Sequence, residues 1–149
     1  MAPHSPIKML IGLAQDDVDN AAQKLGHAQR ERSEAQTQLD ALVQYRDEYH
    51  ARFTASAQAG MPAGQIRNFQ AFIDTLDQAI SLQRSQLAAA CQRVTLTQPK
   101  WQHCKQKLGS YEVLEARGEA VLAMRETRRE QRDADEYAAR IFRTRTDER

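Results

Sequence analysis

Apolar residues recur every three and four positions along two long stretches of this chain. The first stripe holds Val18, Leu25, Arg32, Leu39, Arg46 and Phe53, with Ala21, Ala28, Ala35, Leu42 and Tyr49 three residues behind. The second holds Ile66, Ile73, Ile80, Leu87, Val94, Trp101 and Leu108, with Phe69, Leu76, Gln83, Ala90, Thr97, Cys104 and Tyr111 in the companion places. A strict 3-4 spacing kept this long keeps one helix face against a partner helix, which is the mark of a coiled coil. The segment TASAQAGMPAGQ separates the stripes and carries Gly60, Pro62 and Gly64, the strongest break in the chain. The pattern predicts an all-α fold, a long antiparallel two-helix coiled coil in one elongated domain spanning 1–149. Helix 1 is placed at about 6–55, the turn at about 56–64, and helix 2 at about 65–125 or beyond. Ser5 before Pro6 suits a helix start, a hydroxyl to cap and then a proline where no amide is needed. Met1 to His4 should be loose.

Folding the hairpin fixes a register. With Phe53 facing Phe69, residue numbers across the seam sum to 122, and Ala35, Ala28 and Ala21 meet Leu87, Val94 and Trp101. Large side chains against alanines give the tight seam such a hairpin needs. Arg46 then faces Leu76, and Gln83 faces Leu39. Polar seam residues lower stability and specify register, unless the arginines reach out to solvent. Residue 11 pairs with Tyr111, so helix 2 should overhang helix 1. Past that point Glu115, Gly118, Arg125, Arg129, Arg132 and Glu136 occupy seam positions, and RETRREQRD (125–133) has no apolar face. The tail at about 126–149 is therefore expected to fray into disorder or to order only inside a partner. Pro99 interrupts the second stripe without changing its phase, which predicts a kink near Gln98; a break into a third helix is the alternative.

Composition narrows the function classes. Aromatic residues are 6% and charged residues 28% of 149, which suits an extended helical protein better than a compact core. A net charge of +1 gives no overall case for nucleic acid, and Glu126, Glu130 and Asp133 dilute the field of Arg125, Arg128, Arg129 and Arg132. The run IKMLIGLA is too short to span a membrane and is followed by Asp16 and Asp17, so the protein reads as cytosolic. Cys91 and Cys104, 13 residues apart on one helix, are separated by about 20 Å, beyond disulfide reach. His4, His27, His50 and His103 have no second ligand at metal-binding spacing. No catalytic, cofactor-binding or metal residues emerge, and no enzymatic activity is expected. A bare hairpin offers other proteins its surface.

One such surface is legible. Tyr45 and Phe72 fall beside the seam on the same edge near the turn, with Ala79 and Gln38 further along. Either they widen the seam stripe, or they form a docking patch anchored by aromatic side chains.

At these residues the chain resembles a known family. LVQYRDEY (42–49), NFQAFIDTLDQAI (68–80), DEYAAR (135–140) and Trp101, in this order and spacing, are similar to the flagellar export protein FliJ family. The resemblance covers nearly the whole chain. It implies a small cytoplasmic component of the flagellar type III export apparatus, peripherally associated with the inner membrane at the flagellar base. Its antiparallel coiled coil is similar to the paired terminal helices of the F1-ATPase γ subunit. The implied partners are the hexameric export ATPase FliI with FliH, the export gate protein FlhA, and empty export chaperones. The resemblance places gate docking at Gln38, Leu42, Tyr45, Tyr49, Phe72, Leu76 and Ala79. Gln83 departs from the family, where the position can be histidine, and so does Pro99. Arg125, Arg128, Arg129 and Arg132, with the start of helix 1, are then expected at the ATPase ring. The alternatives are the stalk of a virulence-type secretion system and a generic coiled-coil chaperone or scaffold. A DNA-associated rod would be betrayed by steep salt dependence.

Overall fold

Ser5 starts the first helix by supplying its carbonyl to the amides of Lys8 (3.0 Å) and Met9 (3.3 Å). Pro6 follows at the first helical position, where its missing amide leaves no bond unmade. In this computed structural model, which describes residues 5–148, α1 spans Pro6–Ala59 and α2 spans Ala63–Asp147. The expectation for residues 1–4 lies outside the described residues.

The connection is shorter than the sequence pattern suggests. Residues 60–62 alone join the helices, against the expected 56–64. Ala55, Ala57, Gln58 and Ala59 favour helix, so α1 continues through them. It stops at Gly60, whose φ of +97° is a left-handed conformation open to glycine. The Gly60 amide closes the last turn on the Ala57 carbonyl at 3.3 Å. Pro62 then accepts from the amides of Gln65 (3.0 Å) and Ile66 (3.2 Å) and opens α2. Gly64 therefore lies in the first turn of α2, where the amides have no intrahelical partner to lose.

The chain forms two compact units, and Asp17–Cys104 is one of them. Here α1 and α2 pack as an antiparallel hairpin on the two predicted stripes. Ten of the eleven stripe positions on α1 from Val18 to Phe53 are buried or half-buried, as is every stripe position of α2 from Ile66 to Cys104. Ile80 is the most enclosed side chain, at 1% exposure. Leu25, Ala28 and Val94 form a core cluster with Trp101 packed against it, which puts a large residue against an alanine as the register requires. Arg32 is the exposed exception. Arg46 is half-buried, and its guanidinium leaves the seam for Asp47 (3.0 Å) and Asp77 (3.5 Å). The hydrogen bond that Arg46 donates to Asp47, then the charges of Asp47 and Asp77, raise the Arg46 pKa above its ordinary value.

The second unit takes Met1–Asp16 and Lys105–Arg149. Ala14 is buried, and Leu108, Gly109, Tyr111 and Glu115 are half-buried. From residue 116 to residue 148 every side chain is exposed, yet α2 stays helical to Asp147. The stretch 126–147 is thus part of α2, the continuation past 125 that the pattern left open. Its Arg, Glu, Gln, Ala and Met residues favour helix, and it extends a helix already nucleated, so no new nucleation cost arises.

Pro99 stands inside this continuous α2, which does not divide into a third helix there. Its ring removes the amide that would bond Thr95. The hydroxyls of Thr95 and Thr97 bond the carbonyls of Cys91 (3.1 Å) and Arg93 (2.6 Å) in the turn before it.

Candidate docking surface

One edge of the Asp17–Cys104 hairpin is built from a repeated spacing. On α1, Gln38, Leu42, Tyr45 and Tyr49 follow one another at steps of four, three and four. On α2, Phe72, Leu76, Ala79 and Gln83 do the same. Such steps keep side chains on one helix face. Because the helices are antiparallel, the two lines meet with residue numbers summing to 121. Both ends of this ladder are in contact. Tyr49 and Phe72 lie with ring centroids 4.6 Å apart, and the Gln83 side-chain amide donates to Oε1 of Gln38 at 3.2 Å. The Tyr45–Leu76 and Leu42–Ala79 pairs fall between.

The aromatic end is the richest. Tyr45 meets Phe72 edge-on at 6.3 Å and Tyr49 at 6.3 Å. Tyr49 also meets Phe69 at 5.0 Å, and Phe69 meets Phe53 at 5.5 Å. Five rings thus run in unbroken contact toward the connector. Tyr45 and Phe72 remain 47% and 38% exposed, while Leu76 beneath them is buried. Each residue is thus partly packed and partly open to solvent, as an aromatic side chain able to anchor a partner would be. Beside Tyr49 and Phe69 a depression of about 500 Å³ reaches Gly60 and Met61.

Gln83 closes the polar end. It is 8% exposed and also donates to the Ala35 carbonyl at 3.1 Å, so its buried amide nitrogen is satisfied. The sequence pattern placed it opposite Leu39 without giving it a partner. Gln38 and Gln83 sum to 121 like the other pairs of the ladder, but the bond itself depends on side-chain reach.

The seven residues that the resemblance places at the gate therefore share one continuous edge. The four arginines do not join them. Arg125, Arg128, Arg129 and Arg132 lie on the exposed stretch of α2 in the other unit. That unit also holds a feature the sequence reading missed, a groove of about 790 Å³ lined by Ile7 and Lys8 of α1 and by Leu114, Gly118, Val121 and Leu122 of α2. Among the described residues, no group of three or more His, Cys, Asp or Glu side chains is placed to hold a metal. No helix among them is long and apolar enough to cross a membrane.

Residues 3–147 match the family model of the flagellar FliJ protein. The chain belongs to the flagellar FliJ family. It is 35% identical over 140 residues to the flagellar FliJ protein of Salmonella typhi, covering 94% of this chain and 95% of that one. It is 34% identical over 140 residues to the flagellar FliJ protein of Escherichia coli K12, with the same coverage. The ladder edge and the exposed C-terminal helix both fall inside the matched region.

Proposed function

We propose that this chain is the central stalk of the flagellar export ATPase ring, a non-enzymatic protein that couples the ring to the export gate and receives empty export chaperones. Family membership supplies the flagellar context, and the family resemblance supplies FliI with FliH, FlhA and the chaperones as partners. The observation that carries the reading is the helix from residue 116 to Asp147, which holds its form with every side chain exposed. Its own helix preference keeps it formed, so its whole surface stands ordered and open for another molecule to pack against. The ladder edge from Gln38 to Gln83 is the surface for the gate, because its half-exposed aromatics offer anchors that need little ordering on binding. The protein then acts in the cytoplasm, peripherally at the inner membrane where the gate lies.

The test is a titration of the cognate flagellar export ATPase with the purified chain, read as hydrolysis rate. The expected result is a rise that saturates near one chain per ATPase hexamer. No response from a competent ATPase would remove the stalk role and favour a scaffold or chaperone.

A further inference from the structure

Along α2 in the C-terminal unit, one helix line changes character midway. Leu114, Gly118, Val121, Arg125, Arg128 and Arg132 succeed one another at steps of three and four, so they share one face, with Arg129 at its margin. The first half lines the groove shared with Ile7 and Lys8 of α1, and Leu114 and Val121 in it are about half exposed. The second half is basic. Among the described residues none of the four guanidiniums has an ion pair or hydrogen bond, although carboxylates stand nearby in sequence. For three of these carboxylates the reason is angular. Glu126, Glu130 and Asp133 repeat at steps of four and three on the neighbouring face, whereas Asp135 and Glu136, three and four residues beyond Arg132, stand at the far end of the arginine face.

We infer that this line is a two-part docking track for a protein surface that presents an apolar side chain followed by a cluster of carboxylates. The inference rests on the stalk reading and adds to it the chemistry that the ATPase must offer at this helix. Four unpaired arginines on one face call for carboxylates, which they can hold in paired hydrogen bonds. The apolar groove immediately before them fixes where that surface begins. Nucleic acid and anionic membrane fit less well. Residues 125–136 hold four arginines against five carboxylates, so a uniformly negative partner meets repulsion as well as attraction. A protein surface can answer each face separately.

The experiment measures binding of the full chain to the cognate flagellar export ATPase between 50 and 300 mM salt, with hydrolysis as a second readout. The variants replace all four arginines by Gln, all four by Lys, or Glu126, Glu130 and Asp133 by Gln; a further one is Leu114→Ser with Val121→Ser. All these residues are exposed or half-exposed, and circular dichroism confirms that each variant remains helical. The track predicts that salt and the arginine-to-Gln set each weaken binding about tenfold or more. Lys should restore most of the loss, the carboxylate set should bind within about threefold of the parent, and the Leu114/Val121 variant should bind more weakly. If the parent binds and the arginine-to-Gln set binds equally, the track is overturned while the stalk reading stands. If the parent fails to bind a competent ATPase, both fall. Equal or tighter binding of the parent to duplex DNA or to phosphatidylserine vesicles would overturn the protein partner.

Discussion

Gln83 donates its side-chain amide across the seam to the backbone carbonyl of Ala35, 3.1 Å away on the opposite helix. That carbonyl also lies one turn before the Leu39 amide and so keeps a helical partner without Gln83. Gln83→Leu therefore strands no buried backbone group. It should leave stability within about 1 kcal/mol of the parent in urea denaturation, since an apolar group of similar shape replaces the amide. Gln83→Ala loses the bond and leaves a void, and should cost about 1–3 kcal/mol. Equal losses for both variants would show that the amide itself, not the volume, carries the contribution.

The seam should be far less tolerant than its outer face. Ile80 is 1% exposed and Leu82, two residues on, is 63% exposed. Ile80→Ala should cost about 2–4 kcal/mol, through lost burial and a cavity. Leu82→Ala should change stability by under about 0.5 kcal/mol in the same denaturation assay.

Two glycines flanking Pro62 should respond with opposite sign. Gly60→Ala forces a Cβ onto a φ of +97° and should destabilise by about 1–2 kcal/mol, although no atom would touch the new methyl. Gly64→Ala places the methyl in open space on a helical backbone and should stabilise by about 0.5–1 kcal/mol. Paired denaturation curves decide this, and a loss from both would refute the positions assigned to the connector.

These contrasts show what the chain made legible and what it did not. The stripes were readable because a coiled-coil seam is a one-dimensional repeat, and the seam residues between Val18 and Cys104 lie where the repeat puts them, apart from Arg32. The register followed from matching Phe53 to Phe69, now in ring contact at 5.5 Å. The ladder edge was half visible, because Tyr45 and Phe72 stood out as aromatics, whereas the Gln83 bonds depend on side-chain reach that spacing does not encode. The connector was overdrawn because Gly64 reads as a breaker in sequence but is harmless in a first turn. The end of the C-terminal helix was left open, at 125 or beyond, because the absence of an apolar stripe argues against packing, and packing is not the only source of helix. Arginine, glutamate and alanine carry enough intrinsic preference to extend an existing helix.

Pro99 is a removable defect. It deprives the Thr95 carbonyl of its helical donor inside an otherwise continuous α2. Pro99→Ala should restore the bond and raise stability by about 1–3 kcal/mol, less than the full helix-interior penalty because the parent helix has already adjusted around the ring. Thermal unfolding checks the sign. An unchanged or lower midpoint would mean that the seam near Trp101 depends on the proline ring itself.

The aromatic edge yields the most functional of these expectations. Tyr45 and Phe72 touch edge-on at 6.3 Å and are each more than a third exposed. Replacing both by alanine removes two anchors while Leu76 and Ile80 keep the seam closed beneath. The double variant should remain helical and lose about 1–3 kcal/mol of stability, because the rings contribute packing as well as surface. Binding to the cytoplasmic domain of the export gate protein, followed by calorimetry, should weaken about tenfold or more, as expected for central aromatic anchors. Stimulation of the export ATPase should stay at the parent level, since the proposed ring contacts lie at Arg125, Arg128, Arg129 and Arg132. Tyr45→Phe retains the ring and should keep most of the gate affinity. If the double variant loses gate binding and ATPase stimulation together while circular dichroism shows it folded, the two surfaces are not independent, and the division of labour between ladder edge and C-terminal helix fails.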